Sequence, residues 1–370
     1  MKCPSCGKAI ANDSVFCEYC GKKVPNEETF LEDSGIVDDK HPYTKPVEKP
    51  KRKRKWLWPV AVGTTGILIA LFLLILINSK PHYALSFSEG LAFAHIGDKV
   101  GYIDKSGEMV ITLPWCDYGD TFNEGLVAVR DKGSSLWGYI DKAGRQIVVP
   151  QYSVADDFSG GLAHVVTTEW EHFFIDKNGQ RVISLGQGVT VGGFHEGMAR
   201  VDRCFIDRTG KIVLRPSDSW DHIGDFHEGL AAVWINNGKL GFIDKTGNLV
   251  IPPKFDYETW TITDDFCFSE GLAAVPINGK FGYIDKTGDL VIPPRYDRAY
   301  CFSEGMALVK INGKFGFIDK NGNLVITPQY DWAYSFSEGM ARVDKDSHFL
   351  SGIFGKLFFI DKNGNKVLTI

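Results

Sequence analysis

The chain has 370 residues, 41 Lys+Arg against 46 Asp+Glu for a formal charge of −5, with 44% hydrophobic and 24% charged residues. This balance excludes wholesale disorder and a strongly basic nucleic-acid binder, so no nucleic-acid partner is expected. The 40 glycines and 13% aromatics point to many turns and short strands rather than long helices.

Charge divides the chain into three unlike pieces: net +3 over residues 1–55, no charge over 56–77 and net −8 over 78–370. Only the last is long enough to bury a sizeable core. The first piece opens with two short cysteine pairs, Cys3-Pro-Ser-Cys6-Gly and Cys17-Glu-Tyr-Cys20-Gly. Two thiolates on one tight turn reach one ion, and two such turns supply the closed tetrahedral set of a structural Zn2+ site. The competing readings are a redox pair or disulfides, but a reducing cytoplasm disfavours the latter. Residues 2–23 resemble the zinc ribbon found at the N-terminus of many bacterial membrane proteins. The expectation is therefore a zinc ribbon over 1–23, with Cys3, Cys6, Cys17 and Cys20 holding one zinc that supplies the folding energy.

Residues 24–55 lack apolar periodicity, carry prolines at 42, 46 and 50, and end in the basic run KPKRKRK. They read as a solvated linker whose charges sit against a membrane surface. The stretch from Trp56 to Ile77 has 22 uncharged residues. At about 1.5 Å per residue it would reach roughly 33 Å, enough to cross a hydrocarbon core of about 30 Å. A cleaved signal peptide would have a shorter apolar region nearer the start, and a buried core helix would carry a polar face. The lysines and arginines before the segment place the N-terminus in the cytoplasm and the C-terminal piece outside, in a single-pass cell-membrane arrangement with the lipid bilayer as one partner.

The outer piece, 83–370, repeats one unit eight times. FSEGLA at residue 87 recurs with small changes at 122, 158, 194, 226, 268, 302 and 336, and each copy is followed by an IDK-type string such as GYIDKSG at 101 or GFIDKNG at 316. A branched run comes next, often closed by proline, as in LVIPP at 249 and 290. In the copy from 302, the strands expected are 306–311, 314–319 and 324–326, with Asn312-Gly313 as a two-residue hairpin turn and Pro328 ending the third. Such a unit cannot bury its own face, so copies must pack on one another. The Phe of each FSEG string is the residue expected to plug between neighbours.

These strings resemble the bacterial WG-repeat family, also called KWG repeats. The name dipeptide is literal only at Trp137-Gly138; Phe or Leu replaces Trp at Phe281-Gly282, Phe315-Gly316 and Leu240-Gly241, and three copies lose the Gly. The resemblance implies a β-repeat binding or scaffold module and no established chemistry. The fold class expected is an all-β repeat domain of three- to four-stranded units, either a closed β-propeller or an open β-solenoid. Closure has a possible signature in Tyr83-Ala84-Leu85-Ser86, which matches Ala333-Tyr334-Ser335 and would complete the final blade.

Little in the repeats suggests catalysis. His195 and His227 sit at the Ser slot of FSEG, where repeat position accounts for them. The Glu of FSEG recurs seven times, as a cation ring or, more simply, as an acceptor for the next turn's backbone; the Asp of each IDK string would cap its turn. Cys267 and Cys301 precede the FSEG Phe in adjacent copies and would approach one another. Trp220, Trp234, Trp260 and Trp332 are candidates for stacking on sugar rings or peptide side chains. The function expected is a non-enzymatic, membrane-anchored binding or scaffold protein that recognises a cell-envelope polymer or protein ligand, or a one-span sensor coupled to the zinc ribbon.

Overall fold

A computed structural model describes residues 83–370, apart from 216, 218–219, 236–237, 257–265 and 346–355. The zinc-ligand cysteines 3, 6, 17 and 20, the linker 24–55 and the apolar segment 56–77 lie outside the described residues. Among the described residues no helix is long and apolar enough to cross a membrane.

The repeats form eight small antiparallel sheets, seven of four strands and one of three. They are the blades of a β-propeller. In chain order the blades cover 83–112, 116–152, 154–187, 191–214, 220–256, 273–296, 298–330 and 332–369. Blade 6 shows three strands among the described residues.

Among the described residues, seven of the eight blades begin with a strand at or just before the FSEG string. In blade 1, Tyr83–Ala84 pairs with Ala92–Ile96 of the same sheet, so the chain start does not complete the last blade, contrary to the sequence expectation. The local turn decides this. Ser88 and Leu91 exchange both backbone hydrogen bonds, and between them Glu89 and Gly90 take φ of 51° and 88°. This two-residue turn with both central φ positive matches the twist of the strands it joins. A hairpin so short forms more readily than a pairing across more than 250 residues.

Strand pairing also extends past the prolines. Pro328 lies inside Leu324–Tyr330 rather than ending it. Phe315 faces Tyr330 and Phe317 faces Ile326, so the fourth strand bulges opposite Gly316. A Cβ on Gly316 would stand 2.6 Å from Ile326 O and 2.7 Å from Pro328 N. Gly138, Gly241 and Gly282 are crowded the same way, by 148–150, 251–253 and 292–294 respectively. The glycine of the repeat is therefore the floor on which the fourth-strand bulge rests.

The blades close into a ring. The FSEG phenylalanines are all buried, and each packs on the IDK-strand aromatic of the preceding blade with ring centroids 4.8 to 5.0 Å apart. The series includes Phe87 of blade 1 on Phe359 of blade 8. Ala84, Phe87, Ala92, Ala94, Ile103, Leu357 and Phe359 form one hydrophobic cluster across that seam. An open solenoid has no such contact between its ends, so the propeller reading holds.

Candidate functional site in the polar inner ring

Two polar circuits tie the blades together and account for most recurring charges. Seven FSEG glutamates each accept the N–H of the next blade's FSEG glycine at 2.9 to 3.2 Å. The same carboxylates meet the IDK lysine of that next blade at 2.8 to 3.3 Å. For Glu89, Glu124, Glu196 and Glu228, partial burial opposes ionisation, but the lysine and backbone donors outweigh it and hold the carboxyl below its usual range. The recurring glutamates are ion-paired seam contacts rather than an open cation ring. At the blade 3–4 seam Gly160 replaces the glutamate, and the Arg208 guanidinium lies where its side chain would begin.

The IDK aspartates cap their turns as expected: Asp319 Oδ1 accepts Asn321 N at 2.9 Å and Asn323 N at 2.8 Å, and the other copies do likewise. The aspartate after the fourth-strand tyrosine holds the hairpin lysine, as in Lys280–Asp297 at 2.6 Å and in Lys314–Asp331.

Departures from the repeat, rather than the repeat itself, mark the site. One position of the second strand, six residues after the FSEG Phe, reads Phe93, Ala128, His164, Arg200, Ala232, Ala274, Leu308 and Arg342 around the ring. Three copies thus put a titratable or charged group in a mostly apolar slot. His164, only 6% exposed, meets Asp156 Oδ2 through Nδ1 at 2.7 Å and His172 Nδ1 through Nε2 at 3.1 Å. Arg200 Nε lies 3.6 Å from Asp225 Oδ1. Arg342 lies over the rings of Tyr83 and Tyr334, at 5.0 and 4.7 Å from their centroids.

Residues just before the FSEG Phe form a companion series: Ser86, Thr121, Asp157, Gly193, Asp225, Cys267, Cys301 and Ser335. Adjacent members come close enough that Cys267 and Cys301 form a disulfide, Cα to Cα 6.4 Å, joining blades 6 and 7. Cys116 and Cys204 are free thiols.

Asp157 accepts Asn123 Nδ2 at 2.8 Å through Oδ2, while its buried Oδ1 has no hydrogen-bond partner. Burial first, and the charge of Asp120 second, push its carboxyl up to about 7; burial raises Asp120 as well. An unfolded aspartate titrates near about 3.9, so between about 4 and about 7 the folded chain holds a proton that the unfolded chain lacks. Stability therefore falls as pH rises through that window and levels off above it. Urea midpoints at pH 5 and pH 7 should drop for the wild type and drop less for Asp157→Asn. Equal drops would remove Asp157 as the source.

Several sequence candidates move. His195 and His227 pack on each other, ring centroids 4.7 Å apart. Trp220 and Trp234 are buried and contribute to the core, whereas Trp332 is 54% exposed and Trp170, not singled out by sequence, is 66% exposed. Trp260 lies outside the described residues. Among the described residues no group of three His, Cys, Asp or Glu is placed to hold a metal ion. Asp156, Asp157, His164, Arg200 and Arg342 were missed; aligning the copies column by column is the signal that would have found them.

The WG containing repeat matches residues 101–133, 137–167, 205–239, 241–281, 281–315 and 315–347, more than half of the chain. The chain belongs to the WG-repeat family. A zinc-ribbon domain matches residues 2–24. No curated protein matches the chain. Among solved structures, the computationally designed Ika8 protein aligns with 14% identity and a TM-score of 0.51 over 78% of this chain and 96% of that one. BamB from Moraxella catarrhalis aligns at 14% identity and a TM-score of 0.42, over 71% and 90%. The WD40 beta propeller domain of Doa1 aligns at 12% and 0.37, over 62% and 90%. At these identities the Ika8 likeness concerns the fold alone. For the WG-repeat ring itself, the family motif is mainly a set of blade-building residues: the buried Phe, the seam Glu and Lys, the turn Asp and the Gly beneath the fourth-strand bulge.

Proposed function

We propose that this WG-repeat protein is a membrane-anchored binding or scaffold protein whose ring recognises a cell-envelope polymer or protein outside the cytoplasm, without catalysis. The observation that carries the reading is a division of cysteine chemistry along the chain. Four cysteines suited to zinc as thiolates, Cys3, Cys6, Cys17 and Cys20, precede the uncharged segment 56–77, and a disulfide between Cys267 and Cys301 follows it. Thiolate ligands persist in a reducing compartment and disulfides in an oxidising one. A membrane between the two parts reconciles them. A propeller supports binding because its rigid blades hold variable side chains around one axis.

In intact cells stripped of outer layers, an added protease should digest residues 78–370 of the full chain and spare a tag at residue 1. Digestion of the tag with the ring protected would overturn the orientation. The purified full chain in detergent should also retain a component of a cell-envelope fraction. Metal analysis should find one zinc per chain, and chelation should unfold the head while leaving the ring's melting unchanged.

A further inference from the structure

We propose that Arg342, which lies over the rings of Tyr83 and Tyr334 at the seam of blades 8 and 1, is the anchor for a carboxylate on an acidic polysaccharide. The proposal deepens the binding reading above and rests on it.

The three polar residues in the second-strand slot supply the argument. His164 has Asp156 at 2.7 Å and Arg200 has Asp225 at 3.6 Å. Among the described residues Arg342 has no carboxylate partner, and its Nε and Nη1 are buried without a hydrogen bond. Leaving a cation partly desolvated without an anion is unfavourable. The faces of Tyr83 and Tyr334 compensate in part, through cation–π contacts at 5.0 and 4.7 Å. The remaining edge, Nη2, is free to donate to an incoming anion. Two copies carry their own carboxylate; the third is completed by the ligand's.

The surroundings select the ligand class. Trp332 and Tyr334 are alternate residues of the inner segment of blade 8, so they share a face, and they are 54% and 37% exposed while Ala333 between them is buried. An exposed indole on the face that carries Tyr334 and its cation suits the apolar face of a pyranose with a carboxylate substituent. Trp332 rests edge-on against the buried Phe315 of blade 7, ring centroids 5.8 Å apart, which holds the exposed indole in place.

The test uses the full chain in detergent with polygalacturonate, its methyl ester, and a peptide ending in a free carboxylate as probes. Polygalacturonate should bind with quenched tryptophan fluorescence, and the methyl ester at least tenfold more weakly. Arg342→Gln should abolish that difference, and Trp332→Ala, on an exposed residue, should weaken both sugars tenfold while leaving the melting temperature unchanged. Equal binding of acid and ester, preference for the peptide, or binding unaffected by Arg342→Gln and Trp332→Ala would each overturn the proposal. If Arg342→Gln and wild type retain the same envelope component, the proposal fails and the broader binding reading stands. If the wild type retains nothing, the broader reading fails as well.

Discussion

Phe87→Ala should destabilise the repeat ring by about 3 to 5 kcal/mol, the range for removing a buried phenylalanine from a packed core. Phe87 is 2% exposed, packs at 5.0 Å on Phe359 and sits in the cluster joining the first and last blades. Every blade offers an equivalent Phe, so Phe302→Ala, which opens the seam of blades 6 and 7, should cost a similar amount. The two differ in what they release. Seams inside the chain remain tethered by covalent connection, whereas the blade 8–1 seam is held by noncovalent contacts alone. Hydrogen exchange in Phe87→Ala should therefore accelerate in blades 1 and 8 first, well before global unfolding. A urea midpoint shift worth less than about 1 kcal/mol at the measured m-value would show that the seam contributes little, against a closed ring.

Gly282→Val should cost about 3 kcal/mol, at the upper end of what overpacking produces. An added Cβ would stand 2.6 Å from Ile292 O and 2.9 Å from Pro294 N, both main-chain atoms. No rotamer change relieves that clash; the fourth-strand bulge opposite Phe281 and Tyr283 has to move. Gly279→Ala is the contrast. Gly279 has φ of 76° and open space around it, so alanine there meets only the left-handed backbone penalty of about 1 to 2 kcal/mol. Equal losses from Gly282→Ala and Gly279→Ala would show that the bulge yields easily. Thermal melts of the three variants suffice for the comparison.

Much of this architecture was legible because the chain repeats itself. Eight FSEG and eight IDK strings place the turns, and Asn312-Gly313 fixes its hairpin through φ of 51° and 80°. The plugging role of the FSEG Phe followed from its recurrence in a unit too small to bury its own face. Other features depend on groups distant in sequence and were not legible. Pro328 looked like a strand end, and only the bulge over Gly316 shows how pairing continues to Tyr330. The phase of the blades was hidden because a two-residue inner strand such as Tyr83–Ala84 carries almost no periodic signal. Arg342 in isolation reads as an ordinary strand residue. Its meaning appears when the ring brings Tyr83, some 260 residues earlier, against its guanidinium.

The direction of the glutamate contacts bears on how the ring is assembled during synthesis. Each carboxylate reaches forward, from a blade already made to the glycine N–H and lysine of the one that follows, so at every seam but that of blades 3 and 4 a growing chain ends in an acceptor awaiting its donors. Blade 1 reverses the order. The Gly90 N–H and Lys105 emerge early and find their partner, Glu338, 248 and 233 residues later. Until blade 8 is complete, the first blade carries an idle donor edge beside the uncovered Phe87. The last seam is thus the longest loop to close, which makes it the natural commitment point of folding. A chain released before residue 338 would keep both edges exposed and would be the form most prone to pair with a second copy of itself.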